Sequence, residues 1–295
     1  AVVKVNDFSL REKFGFTDKF PRWAMAYKFE AEEVETTLKK VEWQVGRTGK
    51  LTPLGIVSPV DIGGATVRKA TLNNYGDILR KKVKIGSTVL IRRSNEVIPE
   101  ILGAVDNFDE GKEIVKPDIC PFCGSKLVEE GANLFCPNKD CRPRVIAKLA
   151  NFASKEGMNI DGFSEKTAGQ LFDAFTLDKF SDLYKLTTEK LMNLEGFRER
   201  KAENLISAIA ASKKIPLANF VFALGIEGVG KKTAKDLAKE FKSVGELVRA
   251  NEERLIEIPD VGVIMAKDIS DYFLSEDNIA EINELFSAGV KPFIE

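Results

Sequence analysis

All four cysteines of this 295-residue chain lie in one short stretch, as two closely spaced pairs. Cys120 and Cys123 belong to the sequence Cys-Pro-Phe-Cys, which Gly124 follows. Cys136 and Cys141 bound a second turn-forming sequence, Cys-Pro-Asn-Lys-Asp-Cys. Two such turns can place four sulfur atoms at the corners of a tetrahedron, each about 2.3 Å from one zinc ion. The spacing therefore predicts a structural zinc site.

Three alternatives to structural zinc are open for these cysteines. Two disulfides would suit a secreted protein, but no signal segment is visible and a chain of this length needs no disulfides to fold. A catalytic zinc usually keeps three protein ligands and an open position, whereas four thiolates close the shell. A four-thiolate site also accepts iron. We expect a structural zinc ion, with the functional residues in the segments before and after the cysteines.

Composition and charge narrow the classes of function. The chain contains no histidine, which excludes imidazole acid–base catalysis, serine–histidine triads and histidine–metal sites within it. Its net charge is −1, so any binding of nucleic acid must depend on local basic patches. The longest apolar run, at residues 218–226, is far too short to span a bilayer. We expect a cytoplasmic protein with no membrane partner.

The residues before the cysteines predict a small β-barrel. Glycines and prolines separate five runs of strand-forming residues, at 34–45, 51–60, 66–72, 88–93 and 97–105. Five short strands in a stretch of this size are typical of an oligonucleotide-binding (OB) fold.

An internal repeat follows the cysteines. Four turn sequences each precede an alanine by the same interval, and each alanine begins an apolar stripe at helical spacing, with a polar lapse at Ser270 in the fourth. The pattern predicts four copies of a hairpin followed by an amphipathic helix, the helix-hairpin-helix arrangement. The turns begin at Ile160, Leu194, Ile226 and Ile258, and the alanines are Ala168, Ala202, Ala234 and Ala266.

The third hairpin is the first candidate for a DNA contact. A glycine-bearing hairpin can turn backbone N–H groups outward at a helix N-terminus, where a phosphate is favoured. Gly228 and Gly230 are both present in this copy, and Lys231 and Lys232 follow them. Such a contact holds the sugar-phosphate backbone without reading base sequence.

The other three hairpins depart from this pattern. Gly162 and Gly196 are candidate phosphate contacts, although Ser164 and Arg198 stand where the second glycine would be. In the fourth copy Asp260 replaces the first glycine, and a carboxylate there faces a phosphate unfavourably, so we expect this copy to be mainly structural. A helical bundle with tight turns and no DNA contact is the alternative for all four.

Two lysines lie in predicted strands at the start of the chain. Lys4 belongs to a run at residues 1–5 and Lys28 to an alternating run at residues 21–29. A lysine in such a strand most often lies at an edge with its ammonium in water. An ammonium is also a compact charge that suits a phosphate oxygen. The residues alone leave both possibilities open.

The same two stretches resemble the end of the nucleotidyltransferase (adenylation) domain of bacterial NAD-dependent DNA ligases. They are Val-Val-Lys-Val-Asn-Asp (2–7) and Pro-Arg-Trp-Ala-Met-Ala-Tyr-Lys-Phe (21–29). The resemblance implies that Lys4 and Lys28 reach the phosphate of a bound adenylate. The family's nucleophile is the lysine of a Lys-x-Asp-Gly motif, which this sequence does not contain. It therefore implies no catalytic residue in this chain, which alone cannot form a lysyl-adenylate.

Three stretches of the predicted barrel resemble the OB domain of that family. They are residues 44–53, residues 70–74, and Ile85-Gly86 through Val97-Ile98-Pro99. The family loop matching residues 46–49 approaches DNA near the nick, which implies DNA contacts from Arg47 and Thr48. An ordinary hairpin turn with an exposed arginine is the alternative. The family usually has histidine where Asn73 stands, and an Ala-Gly pair at positions 94 and 95.

Together these stretches imply a multidomain α+β chain cut from the centre and C-terminal part of a ligase. The expected domains are the adenylation-domain tail (1–31), a five-stranded OB domain (32–113), a tetracysteine zinc finger (114–145) and an all-α helix-hairpin-helix domain (146–295). The implied function is sealing of nicked double-stranded DNA in replication and repair, with NAD and Mg²⁺ in the full enzyme, by a monomer at the bacterial nucleoid. The alternatives are a stand-alone, non-catalytic DNA-binding protein and a zinc-stapled scaffold for protein interactions.

Overall fold

The computed structural model describes residues 1–17, 20–28, 31–94, 98–105 and 111–294. Phe29, Asn95 and Val97, which belong to the motifs above, lie outside these residues. The chain divides into two compact units, the first of residues 1–44, 51–118 and 129–134 and the second of residues 45–50, 119–128 and 135–295. The predicted domain boundaries remain predictions.

A two-stranded ribbon opens the first unit. Strand β1 (Val2–Lys4) pairs antiparallel with β2 (Ala24–Ala26), and helix α1 (Phe8–Phe14) lies between them in sequence. The strand predicted over residues 21–29 is wrong in length, because residues 22 and 23 form a turn and Lys28 lies beyond β2.

The run at residues 1–5 predicts a buried strand and the alternation at 21–29 predicts a strand with one buried side, and both predictions are wrong. Val2, Val3 and Met25 are 61%, 67% and 74% exposed. A short ribbon and one two-turn helix offer too little apolar surface to cover each other, so an alternating pattern alone does not create a core here.

Five strands form the closed barrel that the sequence predicts. They are joined in the order β3-β6-β7-β5-β4, and a further pairing of β3 with β4 completes the ring. The β3–β6, β4–β5 and β6–β7 pairs are antiparallel, whereas β5 and β7 are parallel. The strands are β3 (Glu33–Val45), β4 (Lys50–Ile62), β5 (Ala65–Thr71), β6 (Thr88–Ser94) and β7 (Ile98–Ala104).

Period-two alternation fills the barrel interior. In β4 every second residue from Leu51 to Val57 is buried while its neighbours are half-exposed. Leu38, Ile91 and Ile101 come from three further strands and are fully buried beside them. Helix α2 (Tyr75–Lys81), between β5 and β6, contributes Ile78 to the same core. A short hairpin, β8 (Val128–Glu130) and β9 (Asn133–Phe135), extends the sheet next to β4.

The second unit is mainly helical. None of the helices in the described ranges is long and apolar enough to cross a membrane. Its elements are α3 (Arg142–Ala153), α4 (Glu165–Phe175), a 3₁₀ helix (Phe180–Lys185), α5 (Thr188–Met192), α6 (Glu199–Ala211), β10 (Lys214–Pro216), α7 (Leu217–Ala223), α8 (Lys231–Glu240), α9 (Val244–Val248), α10 (Glu252–Ile256), α11 (Val263–Leu274), α12 (Glu276–Ser287) and β11 (Lys291–Phe293).

The four repeat alanines are fully buried at the starts of their helices. Each lies in the first or second turn of its helix and has no exposed surface, and each N–H donates to the carbonyl of the residue just before that helix. The side chain is small enough to let another helix approach, and a larger one at a fully buried position is expected to cause strain. The apolar stripes that follow them meet in one continuous core.

Candidate metal centre and nucleic-acid interface

The four cysteine sulfurs come together in the second unit. All four lie within 4.8 Å of one another, with 3.8 Å between the sulfurs of Cys120 and Cys141 and 3.5 Å between those of Cys123 and Cys136. A disulfide bond is about 2.05 Å long, so the disulfide alternative is wrong. Four sulfurs at about 2.3 Å from one zinc would be roughly 3.8 Å apart, so the arrangement fits a tetrahedral metal ion.

The local chain explains this convergence. Each pair sits on a tight backbone turn: the N–H of Gly124 donates to the Cys120 carbonyl (2.9 Å), and the N–H of Cys141 donates to the Asn138 carbonyl (3.3 Å). Gly124 has a φ of 73°, which the turn requires and a side chain would oppose.

Burial opposes ionisation of the cysteine thiols when no cation lies between them. Burial raises the pKa of Cys141 and raises that of Cys136 to about 11. Burial acts in the same direction on Cys123, but hydrogen bonds with Ser125 outweigh it and lower its pKa to about 6. Four thiolates cannot share so small a volume without a positive charge between them. The donor set is therefore compatible with zinc, and the closed shell leaves no open position for catalysis.

The four hairpins share one backbone geometry. The first-glycine position has a φ of 76° at Gly162, 74° at Gly196, 74° at Gly228 and 65° at Asp260. In every copy the residue after it donates its N–H to the carbonyl three residues earlier, at 3.1 to 3.3 Å. Asp260 thus adopts the left-handed conformation that glycine takes in the other copies, which aspartate tolerates better than most residues.

The helix starts after the hairpins differ in how they are capped. The Ser164 hydroxyl accepts the N–H of Thr167 (3.2 Å) and so caps α4. Helices α8 and α11 begin after Gly230 and Gly262, and neither has a side-chain cap. Their first N–H groups therefore have no partner from the capping residue and face the side from which an anion would approach.

Hairpins three and four lie against each other. The Met265 side chain packs on Gly228, where an added Cβ would come within 3.3 Å of its Cγ. The Lys232 ammonium forms an ion pair with the Asp260 carboxylate. The acidic residue that makes the fourth hairpin unfavourable for phosphate is thus partly neutralised by a lysine of the third.

Arg47 and Thr48 lie in the loop between β3 and β4, and both are half-buried. The Arg47 guanidinium donates to the Gly225 carbonyl at 3.0 Å, immediately before hairpin three. This bond occupies one of the five N–H donors of the group, so others can still meet a phosphate. Direct DNA contact by the two residues remains a prediction.

Lys4 and Lys28 belong to the first unit, Lys4 in strand β1 and Lys28 two residues beyond the end of β2. Lys4 is opposite Ala24, and the N–H of Tyr27 continues the ladder by donating to the Ala1 carbonyl at 2.8 Å. The strand register covers Lys4 but not Lys28, so it does not assign the two lysines to a common face. Both are exposed, and their role at an adenylate remains a prediction.

Three family models match consecutive parts of the chain. The NAD-dependent DNA ligase adenylation domain matches residues 1–32, the NAD-dependent DNA ligase OB-fold domain matches residues 35–113, and a helix-hairpin-helix motif matches residues 219–282. The chain belongs to the NAD-dependent DNA ligase family. Its closed barrel and its helix-hairpin-helix region confirm the fold class predicted from the sequence.

Curated relatives carry the name DNA ligase. The chain is 52% identical over 227 residues to "DNA ligase 2" of Clostridium acetobutylicum and to "DNA ligase" of Alkaliphilus oremlandii, and 51% identical over 228 residues to "DNA ligase" of Clostridium novyi. The matches cover 76% or 77% of this chain but 34% of each relative. The chain thus spans about a third of the length of the curated ligases it matches.

Three residues of this ligase-family chain, near the cysteine cluster and hairpins three and four, were not predicted from the sequence. Gly262 caps α11 as Gly230 caps α8, and the repeat register could have identified it. Arg144 and Asn151 bond to backbone carbonyls of residues far away in sequence. No local pattern marks such contacts, because only the folded chain brings the partners together.

Proposed function

We propose that this chain is the DNA-holding part of an NAD-dependent DNA ligase. The whole protein seals nicks in duplex DNA during replication and repair, in the bacterial cytoplasm at the nucleoid, and acts as a monomer. The observation that carries the proposal is hairpin three, where an exposed glycine turn, an uncapped helix start, Lys231 and Lys232 occur together. That combination suits a phosphate in a chain whose relatives are named DNA ligases.

The roles of the parts follow from their chemistry. The backbone N–H groups at the start of α8 bind phosphate oxygens, and Lys231 and Lys232 add charge without reading bases. Gly162 and Gly196 lie in similar turns that lack the second glycine, so they bind phosphate more weakly. Arg47 and Thr48 approach the duplex near the nick. The four cysteines hold zinc as a structural ion, which fixes the loops around it.

Adenylate transfer requires groups beyond these. Lys4 and Lys28 bind the phosphate of the adenylate, and a lysine from a Lys-x-Asp-Gly motif supplies the nucleophile. NAD is the source of the adenylate, which passes to the 5′-phosphate of the nick before the 3′-hydroxyl displaces AMP. Mg²⁺ counters the phosphate charge in these steps.

Binding of nicked duplex DNA over a series of salt concentrations tests the proposal. We expect the chain to bind without preference for base sequence, with log affinity falling linearly as log salt rises. The double substitution Lys231→Glu, Lys232→Glu should weaken binding at least about tenfold. It should also lower the salt slope by about 0.9 for each phosphate that the variant no longer binds.

A matched control is the double substitution Lys235→Glu, Lys239→Glu. It makes the same change of net charge on the same helix, one to two turns from the hairpin. We expect a smaller loss of affinity from it. Equal losses from the two variants would show that overall charge, and not the hairpin, holds the DNA, and salt-independent or base-specific binding would rule out the proposal.

A further inference from the structure

Three segments of the second unit meet around the backbone of Cys136. The N–H of Cys136 donates to the Gly49 carbonyl at 2.8 Å. The Arg144 guanidinium donates from Nη1 to the Cys136 carbonyl (3.1 Å) and from Nε to the Arg47 carbonyl (3.2 Å). One arginine side chain therefore ties a cysteine of the metal site to the loop of residues 46–49.

The approach at Gly49 is too close for any other residue. A Cβ there would lie 2.4 Å from the Cys136 carbonyl oxygen and 3.2 Å from Nη1 of Arg144, and its φ is 88°. The loop is thus seated directly on the cysteine backbone, with the arginine packed across it.

The same loop reaches hairpin three. Nη1 of Arg47 donates to the Gly225 carbonyl at 3.0 Å, and Nδ2 of Asn151 donates to the Phe222 carbonyl at 3.4 Å. Both carbonyls lie at the end of α7, where the chain leaves the helix and enters the hairpin at Ile226. These bonds set the position from which Gly228 and Gly230 project.

We propose that Arg144 is a positioning residue that links the cysteine site to hairpin three. It holds the carbonyl of Arg47 beside Cys136, and Arg47 in turn fixes the Gly225 carbonyl at the entry to the hairpin. The metal site thereby supports a DNA-contacting turn through backbone hydrogen bonds, although neither the cysteines nor Arg144 contacts DNA. The inference deepens the proposed function, on which the role of the hairpin rests.

The geometry explains why an arginine does this. A guanidinium presents two N–H groups in a rigid plane, so Nε and Nη1 can reach two carbonyls at a fixed separation. A lysine at this position would keep the charge, but its three N–H donors share one nitrogen and cannot reproduce the fixed separation of Nε and Nη1. Arg144→Lys is therefore expected to behave like Arg144→Ala and not like the native chain.

Hydrogen exchange of the zinc-loaded chain tests the link without DNA. In Arg144→Ala, the amides of Gly225 and Val229, which donate to Phe222 (3.1 Å) and Ile226 (3.2 Å), should exchange about tenfold faster. The Phe163 amide makes the same turn bond in hairpin one (3.3 Å) and should not change. Arg142→Ala is the matched control, since Arg142 is also in α3 but pairs with Asp173 at the surface.

Two outcomes would overturn the proposal. Unchanged exchange at Gly225 and Val229 would show that Arg144 does not support the hairpin. Equal acceleration at Phe163 would show general loosening of the unit. Zinc content, measured in each variant, must stay at one ion per chain for selective acceleration to count in favour.

A double-mutant cycle for nicked-DNA affinity separates this inference from the proposed function. Arg144→Ala should weaken binding and lower the salt slope, and its effect should largely vanish in a Lys231→Ala, Lys232→Ala background. Full additivity would overturn the link. If the lysine substitutions alone leave affinity unchanged, the proposed function fails, while the exchange result still decides the role of Arg144.

Discussion

At the scale of single residues, the Asp77 carboxylate has a strongly lowered pKa and three side-chain partners. It is 5% exposed in α2 and receives hydrogen bonds from Asn73 (2.9 Å), Lys81 (2.7 Å) and Arg80. Burial acts to raise its pKa, but these bonds outweigh burial and lower the pKa to about 2. Asn73, where the family usually has histidine, has a φ of 60° that presents its amide to this carboxylate.

We expect Asp77→Asn to destabilise the barrel by about 2 kcal/mol at neutral pH, because the pKa lies nearly two units below the usual value near 4. A lowered pKa stabilises the fold fully above pH 4, and the contribution disappears as pH falls to about 2. Urea unfolding at several pH values, followed by tryptophan fluorescence, measures the difference.

Glu113→Gln is the control for Asp77→Asn. Glu113 also pairs with a lysine, Lys84, at 3.0 Å but is 72% exposed, so its loss should cost under about 0.5 kcal/mol. A destabilisation by Asp77→Asn that did not shrink on acidification would contradict the electrostatic origin of the effect.

At the scale of elements, hairpins three and four act as a pair. Met265 of one packs on Gly228 of the other, and Asp260 pairs with Lys232 across them. The fourth hairpin, like the third, leads into a helix whose N-cap residue is a glycine without a side-chain cap, but it lacks the basic residues of the third. If the hairpins bind phosphate as proposed, Asp260 should weaken that binding at both hairpins, by its own charge and by its ion pair with Lys232.

Asp260→Asn should raise the affinity for duplex DNA about two- to fivefold at low salt, matching the roughly 0.4–1 kcal/mol of a surface ion pair. Asparagine keeps the tolerance for a φ of 65° and removes the negative charge. Fluorescence anisotropy with labelled duplex DNA measures the change. The gain should be smaller in a Lys232→Ala background, where only the effect of the Asp260 charge itself remains, and a loss of affinity in the native background would refute the expectation.

At the scale of the whole chain, the metal site belongs to one unit only. The four cysteines lie in segments of the second unit, which contains α3 to α12, whereas Trp23 and Trp43 lie in the first. Tryptophan fluorescence therefore reports on the first unit, and far-ultraviolet circular dichroism is dominated by the helices of the second.

Removal of zinc by a chelator should lower the thermal midpoint of the circular dichroism transition by about 10 °C or more, since each kcal/mol is worth about 2–4 °C in a unit of this size. The tryptophan transition should stay within error. A Cys123→Ser, Cys136→Ser variant should show the lowered midpoint without a chelator and no further change with one. Equal shifts of both signals would show that the metal supports both units.

The sequence alone determined the features that repeat or depend on neighbours along the chain. Runs of strand-forming residues between glycines and prolines located the five barrel strands to within about two residues at their ends, and a constant eight-residue interval located the four buried alanines. Paired cysteines on tight turns identified a four-cysteine cluster that is compatible with zinc. Each signal is local, because strand pleat, helix period and turn chemistry act over a few residues.

Only the tertiary structure showed which residues are buried and which residues far apart in sequence contact each other. The ribbon at residues 2–26 alternates like a half-buried strand yet is exposed, because burial requires a partner surface that no local pattern supplies. Arg47 reads as an exposed loop arginine, yet it bonds to Gly225, 178 residues away. Arg144 and Asp260 likewise gain their roles from partners distant in sequence, since hydrogen bonds and ion pairs depend on position in space.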